Sequence, residues 1–361
     1  MKILQVITSM RIGGAEKLVA EMVPLMKAAG HEVDILLFDG TNTPLKEELE
    51  KEGCNIYSLA IGQSVYHPLF IFLLISYLKK YDVVHTHNTA CQLFVALASI
   101  LINKKEKPFL ITTEHSTTNR RRKWALYKYI DKWMYNRYNK VIAISEKAKE
   151  KLHSYLNHSS IDIRVISNGI NLQAFQKDYS LSLKRNSSDI ILTMVAGFRK
   201  GKDQMTLIKT MRELPENYHL FLVGDGIQKN IHEQTVKSLL LQNRVHFLGI
   251  RNDIPAILKA SDIILMSSEY EGLSLSNIEG MASGKPFIAS DVDGLHEITK
   301  DAGILFPLGN TKILAEKILQ LMNDQQYYQE ICNRCLQKAF FYDINYTVIN
   351  YLKTYIHSSH D

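Results

Sequence analysis

Short apolar runs alternate with amphipathic stretches along the whole chain, and the spacing predicts strands and helices in turn. "ILQVI" (Ile3–Ile7) reads as a buried strand, followed by a Gly-rich turn, "RIGGAE". Leu18, Val19, Met22, Val23 and Met26 then share one face of a helix over Ala15–Ala29, with Gly30 placed to stop it. "EVDILLF", "DVVHTH" (Asp82–His87), "PFLITTEH" (Pro108–His115) and "KVIAIS" (Lys140–Ser145) predict further strands with helical stretches between them. Near Asn168 the composition turns to Asn, Gly and Gln, and a polar stretch runs to Asp189. A second series follows: "IILTMVAG", "HLFLVGDG", "VHFLG", "DIILMSS", "PFIAS" and "AGILF", again with helices between. Strands that are apolar almost throughout belong in parallel sheets covered on both faces. The expectation is an α/β chain of two doubly wound, Rossmann-like domains in tandem, residues 1–170 and 171–341, with ligands at the C-terminal strand edges.

Composition narrows this without changing it. The chain has 361 residues, 46% apolar and 22% charged, enough for two ordinary globular cores. The longest apolar run, Pro68–Leu78, is too short for a bilayer, which takes about 20 residues. The opening "MKILQVITSM" lacks a small-residue cleavage site and reads as the first strand of a cytoplasmic protein. Cys54 and Cys91 are isolated, and Cys332 and Cys335 form a lone CxxC in a helical stretch, read as packing residues rather than a metal or redox site. The formal charge of +6 is uneven. Residues 1–170 hold 23 Lys and Arg against 16 Asp and Glu, and Arg120–Lys140 alone carries eight basic residues and one acid.

Candidate chemistry gathers at predicted strand ends. In "SSEYEGLSLSNIEGMASGKP" (Ser267–Pro286), two glutamates, Glu271 and Glu279, flank seven residues at a strand-to-helix turn. The helix is expected to start near Ser276, so its free N–H groups and dipole favour a phosphate. Ser276 and Glu279 equally fit a capping box, which would employ that carboxylate structurally. "AGFRKGKDQ" (Ala196–Gln204) offers Arg199 and Lys202 as a diphosphate clamp or, equally, as a solvated basic turn. "GDG" from Gly224 is a third turn at a strand edge, and "GGAE" (Gly13, Gly14) a fourth that lacks the dinucleotide-binding spacing. His85, His87 and His115 fall near strand ends without carboxylates at metal-ligand spacing, so no metal is expected.

With those residues in view, the chain resembles the family four retaining glycosyltransferases of the GT-B fold over nearly its whole length. The specific stretch is Ala260–Asp291, with seven residues between its two glutamates and "GMASGKP" after them. The resemblance implies two domains across a cleft, with the tail 342–361 packed back on the first domain. It implies that Glu279 holds the ribose, Glu271 lies at the transferred sugar, and the backbone of Leu273, Ser274 and Leu275 binds the diphosphate. Arg199 and Lys202 would neutralise the leaving group, Gly224 would border the donor, and residues near His246–Arg251 would line the base pocket. His115 would contact the donor sugar across the cleft, and Gly13 and Gly14 would border the diphosphate and acceptor. Ala196-Gly197 stands where relatives carry Gly-Arg.

The implied reaction is transfer of a sugar from a UDP- or GDP-sugar to a hydroxyl of a glycan or lipid-linked acceptor, with retention and with no metal or other cofactor, in surface polysaccharide or glycolipid assembly. Charge builds on the leaving diphosphate, so fixed cations and dipoles carry the work. The rival readings are a nucleotide-sugar 2-epimerase of the same architecture and a non-catalytic carbohydrate-binding module. The Arg120–Lys140 segment mixes six aromatics with its cations. It reads as a contact for an anionic membrane surface, or as a solvated helix with inward aromatics. Nucleic acid is not expected, since no recognition motif accompanies the charge.

Overall fold

The computed structural model describes residues 1–11, 13–115, 124–156, 161–271 and 275–356. The chain divides into two compact units, Met1–Gly169 with the chain end from Ile344, and Ile170–Asp343.

In the first unit, β1 (Lys2–Ile7), β2 (Glu32–Asp39), β3 (Asn55–Ala60), β4 (Val83–Thr86), β5 (Phe109–Glu114), β6 (Lys140–Ala143) and β7 (Ile163–Val165) form one sheet. The order is β3-β2-β1-β4-β5-β6-β7 and every pairing is parallel. β3 and β7 escape the apolar pattern for simple reasons. β3 is an edge strand that is largely solvent-facing, and β7 has only three residues. The first helix runs Gly14–Ala28, and Leu18, Val19, Met22, Val23 and Met26 are all buried, as their spacing requires. The last helix, Ile344–Ile356, lays Ile344, Val348, Tyr351 and Tyr355 on the same core. Burying such side chains contributes about 1.5–3 kcal/mol each, which holds the chain end to the first unit.

In the second unit, β8 (Ile190–Val195), β9 (Tyr218–Val223), β10 (Val245–Gly249), β11 (Ile263–Met266), β12 (Phe287–Ser290) and β13 (Ile304–Phe306) pair in parallel as β10-β9-β8-β11-β12-β13. All six lie where the apolar runs place them. Each sheet reverses direction at its first strand, between β1 and β4 and between β8 and β11, and such switch points open crevices at the C-terminal edge. Cys332 and Cys335 are buried on the helix Gln325–Phe340. Burial pushes their thiols up to about 11 and about 12, so both behave as small apolar groups. None of the described helices is long and apolar enough to cross a membrane.

Candidate functional site

The switch point of the second sheet is built from two loops tied together. After β8 the chain turns through Ala196–Lys202, and after β11 through Ser267–Glu271. Asp203 N–H donates to Ser267 O at 2.9 Å and Glu269 N–H to Gly201 O at 2.9 Å, so the loops run antiparallel around Lys202 and Ser268. Ser267 Oγ donates to Asp203 Oδ2 at 2.8 Å. Ser268 exchanges two bonds with the Ser290 hydroxyl at the end of β12, at 3.0 and 2.9 Å. Glu271 N–H donates to Asp293 O at 3.1 Å. Backbone and serine hydrogen bonds therefore tie the two loops to each other and to β12.

On this frame the Lys202 ammonium pairs with the Glu271 carboxylate, which also accepts from Ser268 Oγ at 2.8 Å. Each charged side chain is only 9% exposed. Taking two charges out of water costs several kcal/mol apiece, offset by their mutual attraction and the serine bond. From sequence these residues belonged to two separate motifs, and the fold joins them. Gly224 closes the neighbouring turn. Its φ is +133°, and a Cβ there would stand 2.3 Å from Ala196 O, so the β9 turn abuts the β8 turn because glycine occupies the position.

Glu279 is buried on the helix Leu275–Ala282. That helix is described from Leu275, with Ser276 as its second residue. Leu275 itself belongs to the core. Leu273 and Ser274 lie outside the described residues. Arg199 is exposed and makes no ion pair with the described residues. His246, half-buried on the edge strand β10, lies on the Phe221 ring, 4.6 Å between centroids, and burial takes it down to about 4. Arg251 pairs with Asp253 at 2.6 Å. Asn277 had no sequence signal beyond being an amide in an apolar helix. It is fully buried, and neither of its amide atoms has a partner among the described residues.

In the first unit, Gly13 caps the first helix in extended conformation. A Cβ on Gly13 would meet Glu16 Oε2 at 2.3 Å, whereas one on Gly14 would meet no described atom within 4 Å. Asn88 Oδ1 accepts from Thr8 N–H at 3.0 Å and so joins the ends of β1 and β4. His115 follows β5 directly, with Nε2 3.1 Å from His87 Nδ1. His87 Nε2 lies 2.7 Å from Gln5 Oε1. His85 meets Tyr355 OH at 2.6 Å and Thr113 Oγ1 at 2.7 Å. Gln5, Thr113 and Tyr355 were missed in the sequence. The available signal was polar residues at alternate positions in apolar strands, as in "ILQVI" and "LITTE". Of the aromatics in the basic segment, Trp124, Tyr127 and Tyr129 are exposed, while Tyr135 and Tyr138 are buried. Tyr135 OH donates to Glu114 at 2.6 Å and Tyr138 OH to Gln92 O at 2.7 Å, so part of that pattern is packing.

Comparison with known proteins gives this arrangement its setting. Residues 12–174 match the family model described as Glycosyltransferase Family 4, and 176–339 match Glycosyl transferases group 1. The chain is 28% identical, over 68% of its own length and 68% of the relative's, to an Escherichia coli UDP-Gal:alpha-D-GlcNAc-diphosphoundecaprenol alpha-1,3-galactosyltransferase. It is 26% identical, over 91% and 90%, to N-acetyl-alpha-D-glucosaminyl L-malate synthase of Bacillus anthracis. A crystal structure of Anabaena HepE with UDP and glucose superposes with a TM-score of 0.82 at 21% identity, covering 98% of this chain and 99% of that one. A Rickettsia africae glycosyltransferase structure does so at 0.83 and 22%, covering 100% and 99%. The fold is that of the two-domain GT-B enzymes, and the chain belongs to the group 1 glycosyl transferases.

Proposed function

We propose that the protein moves a sugar from a UDP- or GDP-sugar to a hydroxyl of a glycan or lipid-linked acceptor, in family four fashion, retaining the anomeric configuration and using no divalent metal. The observation that carries this reading is the Lys202–Glu271 pair at the switch point of the second sheet. A diphosphate at that edge competes with Glu271 for the ammonium, neutralising the leaving group as it departs. Arg199, exposed on the same turn, adds a second cation. Glu271, held by Ser268, then turns to the sugar, Glu279 to the ribose, and the Leu273–Leu275 backbone and Gly224 border the diphosphate. His115, Gly13 and Gly14 act from the first domain, residues 1–170, which serves the acceptor side, while 171–341 serve the donor.

The E. coli relative is named for a diphosphoundecaprenol acceptor, as is a Campylobacter jejuni relative 32% identical over 52% of the chain. HepE was crystallised with UDP-glucose. These names support a uridine donor and a lipid-linked acceptor in surface glycan assembly, on the cytoplasmic face. Trp124 and Tyr129 stand exposed beside Lys128 and Lys132, and the helix Phe70–Leu78 also exposes Phe72 and Leu73. That mixture of cations and apolar groups suits an anionic membrane surface. Vesicle co-sedimentation should rise with anionic lipid and fall with salt, and indifference to both removes the membrane contact.

The deciding experiment follows nucleotide release from UDP- and GDP-sugars with and without a diphosphoundecaprenol-linked glycan, in EDTA and in magnesium. Acceptor-dependent release that survives EDTA, giving a product with the donor's anomeric configuration by proton NMR, is expected. Release without any acceptor identifies an epimerase, and binding without release a carbohydrate-binding module.

A further inference from the structure

Three imidazoles stand in line in the first unit, His85, His87 and His115. Burial holds His85 and His87 well below the usual histidine range and takes His115 down to about 4. At neutral pH each ring therefore carries one N–H and one lone pair, and its neighbours decide which nitrogen carries which.

Gln5 sets the direction. It is fully buried, and its register partner across the strands is His85. Its amide Nε2 faces the Tyr355 hydroxyl at 3.3 Å and the Met26 sulfur at 3.8 Å. Its Oε1 faces His87 Nε2 at 2.7 Å. The opposite amide orientation would set a carbonyl oxygen against the thioether sulfur, two acceptors in contact. With Oε1 as acceptor, His87 Nε2 bears the hydrogen and Nδ1 bears the lone pair. His115 Nε2, 3.1 Å from that lone pair, must donate. The lone pair of His115 is thereby assigned to Nδ1, which is buried and has no hydrogen-bond partner among the described residues. The other branch agrees. Gln5 Nε2 donates to Tyr355 OH, Tyr355 donates to His85 Nδ1 at 2.6 Å, and His85 Nε2 donates to Thr113 Oγ1 at 2.7 Å.

We propose that Gln5 and His87 are positioning residues that fix His115 as the Nε2–H tautomer and so present Nδ1 as a hydrogen-bond acceptor to a hydroxyl of the donor sugar. The sugar contact rests on the reading of His115 given above, whereas the tautomer does not. An acceptor at this point selects sugars that carry a hydroxyl there and disfavours deoxy analogues, which would leave the nitrogen unpaired. The relay reaches into the last helix through Tyr355, so the chain end contributes to the same orientation.

The test has two readouts. Histidine-selective nitrogen-15 NMR of the wild-type protein without substrate should show His115, assigned by its loss in His115→Asn, as the Nε2–H tautomer. A Nδ1–H tautomer overturns the proposal. Gln5→Met, which keeps the volume and removes the acceptor, should give a mixture of tautomers at His115, and an unchanged single tautomer also overturns it. In turnover, His87→Phe should lower kcat about tenfold, the worth of one hydrogen bond. His87→Asn places an oxygen where Nδ1 stood and should recover most of that loss. Equal losses in both variants, with His115 unchanged by NMR, would show a packing role alone and overturn the proposal. If the tautomers behave as expected while His115→Asn retains full turnover, the positioning stands and the assignment of His115 to the sugar falls.

Discussion

Lys202 and Glu271 hold each other in a place where neither charge is well hydrated. Removing one leaves the other buried and uncompensated, at a cost of about 3–5 kcal/mol, while replacing both with neutral groups of similar size is close to neutral. Lys202→Met should therefore lower the urea midpoint sharply, and the double variant Lys202→Met/Glu271→Gln should recover most of the lost stability. Turnover should part company with stability. Lys202→Met should slow sugar transfer by about 10²–10³, as expected for loss of one cation at a developing negative charge. The double variant should stay equally slow. If it regains turnover along with stability, the pair is structural and the donor edge lies elsewhere. The sequence made both residues visible, since Lys202 sits in a basic turn and Glu271 in a loop at a strand end. Their pairing was not visible, because it depends on β11 returning beside β8, a sheet order that apolar runs do not encode.

Elements divide in the same way. Strands that are apolar almost throughout announce themselves by composition, so β8 to β13 and the central strands of the first sheet could be read directly. Edge strand β3 carries no such signal, with Asn55, Tyr57 and Ser58 facing solvent. The polar row beneath the last helix was legible only in fragments. Gln5, His85 and Thr113 are polar positions within apolar strands, and Tyr351 and Tyr355 are aromatics of the last helix, so nothing in the sequence links them. Packed together they satisfy one another: Tyr355 OH serves both Gln5 and His85, and Tyr351 OH lies 3.2 Å from Thr113. Tyr355→Phe removes one hydroxyl and strands two buried polar groups, so it should cost about 1–3 kcal/mol despite deleting a single atom. Tyr346→Phe, exposed on the same helix, should cost nothing measurable. Equal effects of the two changes in urea unfolding would show that the row contributes no more than surface hydroxyls do.

At the scale of the whole molecule, the histidines held below their usual range are unevenly shared between the two units, and that predicts how acid takes the protein apart. His85, His87 and His115 belong to the first unit and titrate well below the usual range, whereas the second unit has His246, taken down to about 4. A histidine whose native pKa is depressed binds its proton more readily once unfolded. Its stabilising contribution is complete above about pH 6.5 and is lost as pH falls from there towards about 4. His85, His87 and His115 together give the first unit a slope approaching about 4 kcal/mol per pH unit within that window, and His31, also held below the usual range by burial, adds to it in the same direction. Glu16 runs the other way, because burial raises its carboxyl and favours the folded state as it protonates, so the observed slope should be somewhat less. The depressed carboxyls Asp39 and Asp162 in the first unit, and Asp189 and Asp253 in the second, act only at lower pH and fall evenly on both. Both tryptophans of the chain, Trp124 and Trp133, lie in the first unit, so their fluorescence reports that unit alone while circular dichroism reports both. Urea unfolding at pH 7 and at pH 5 should move the fluorescence midpoint down much further than the later part of the dichroism transition. His87→Gln should reduce the shift. A fluorescence midpoint that holds between pH 7 and pH 5, or falls in step with the second unit, would mean that the three imidazoles are not buried together as neutral rings.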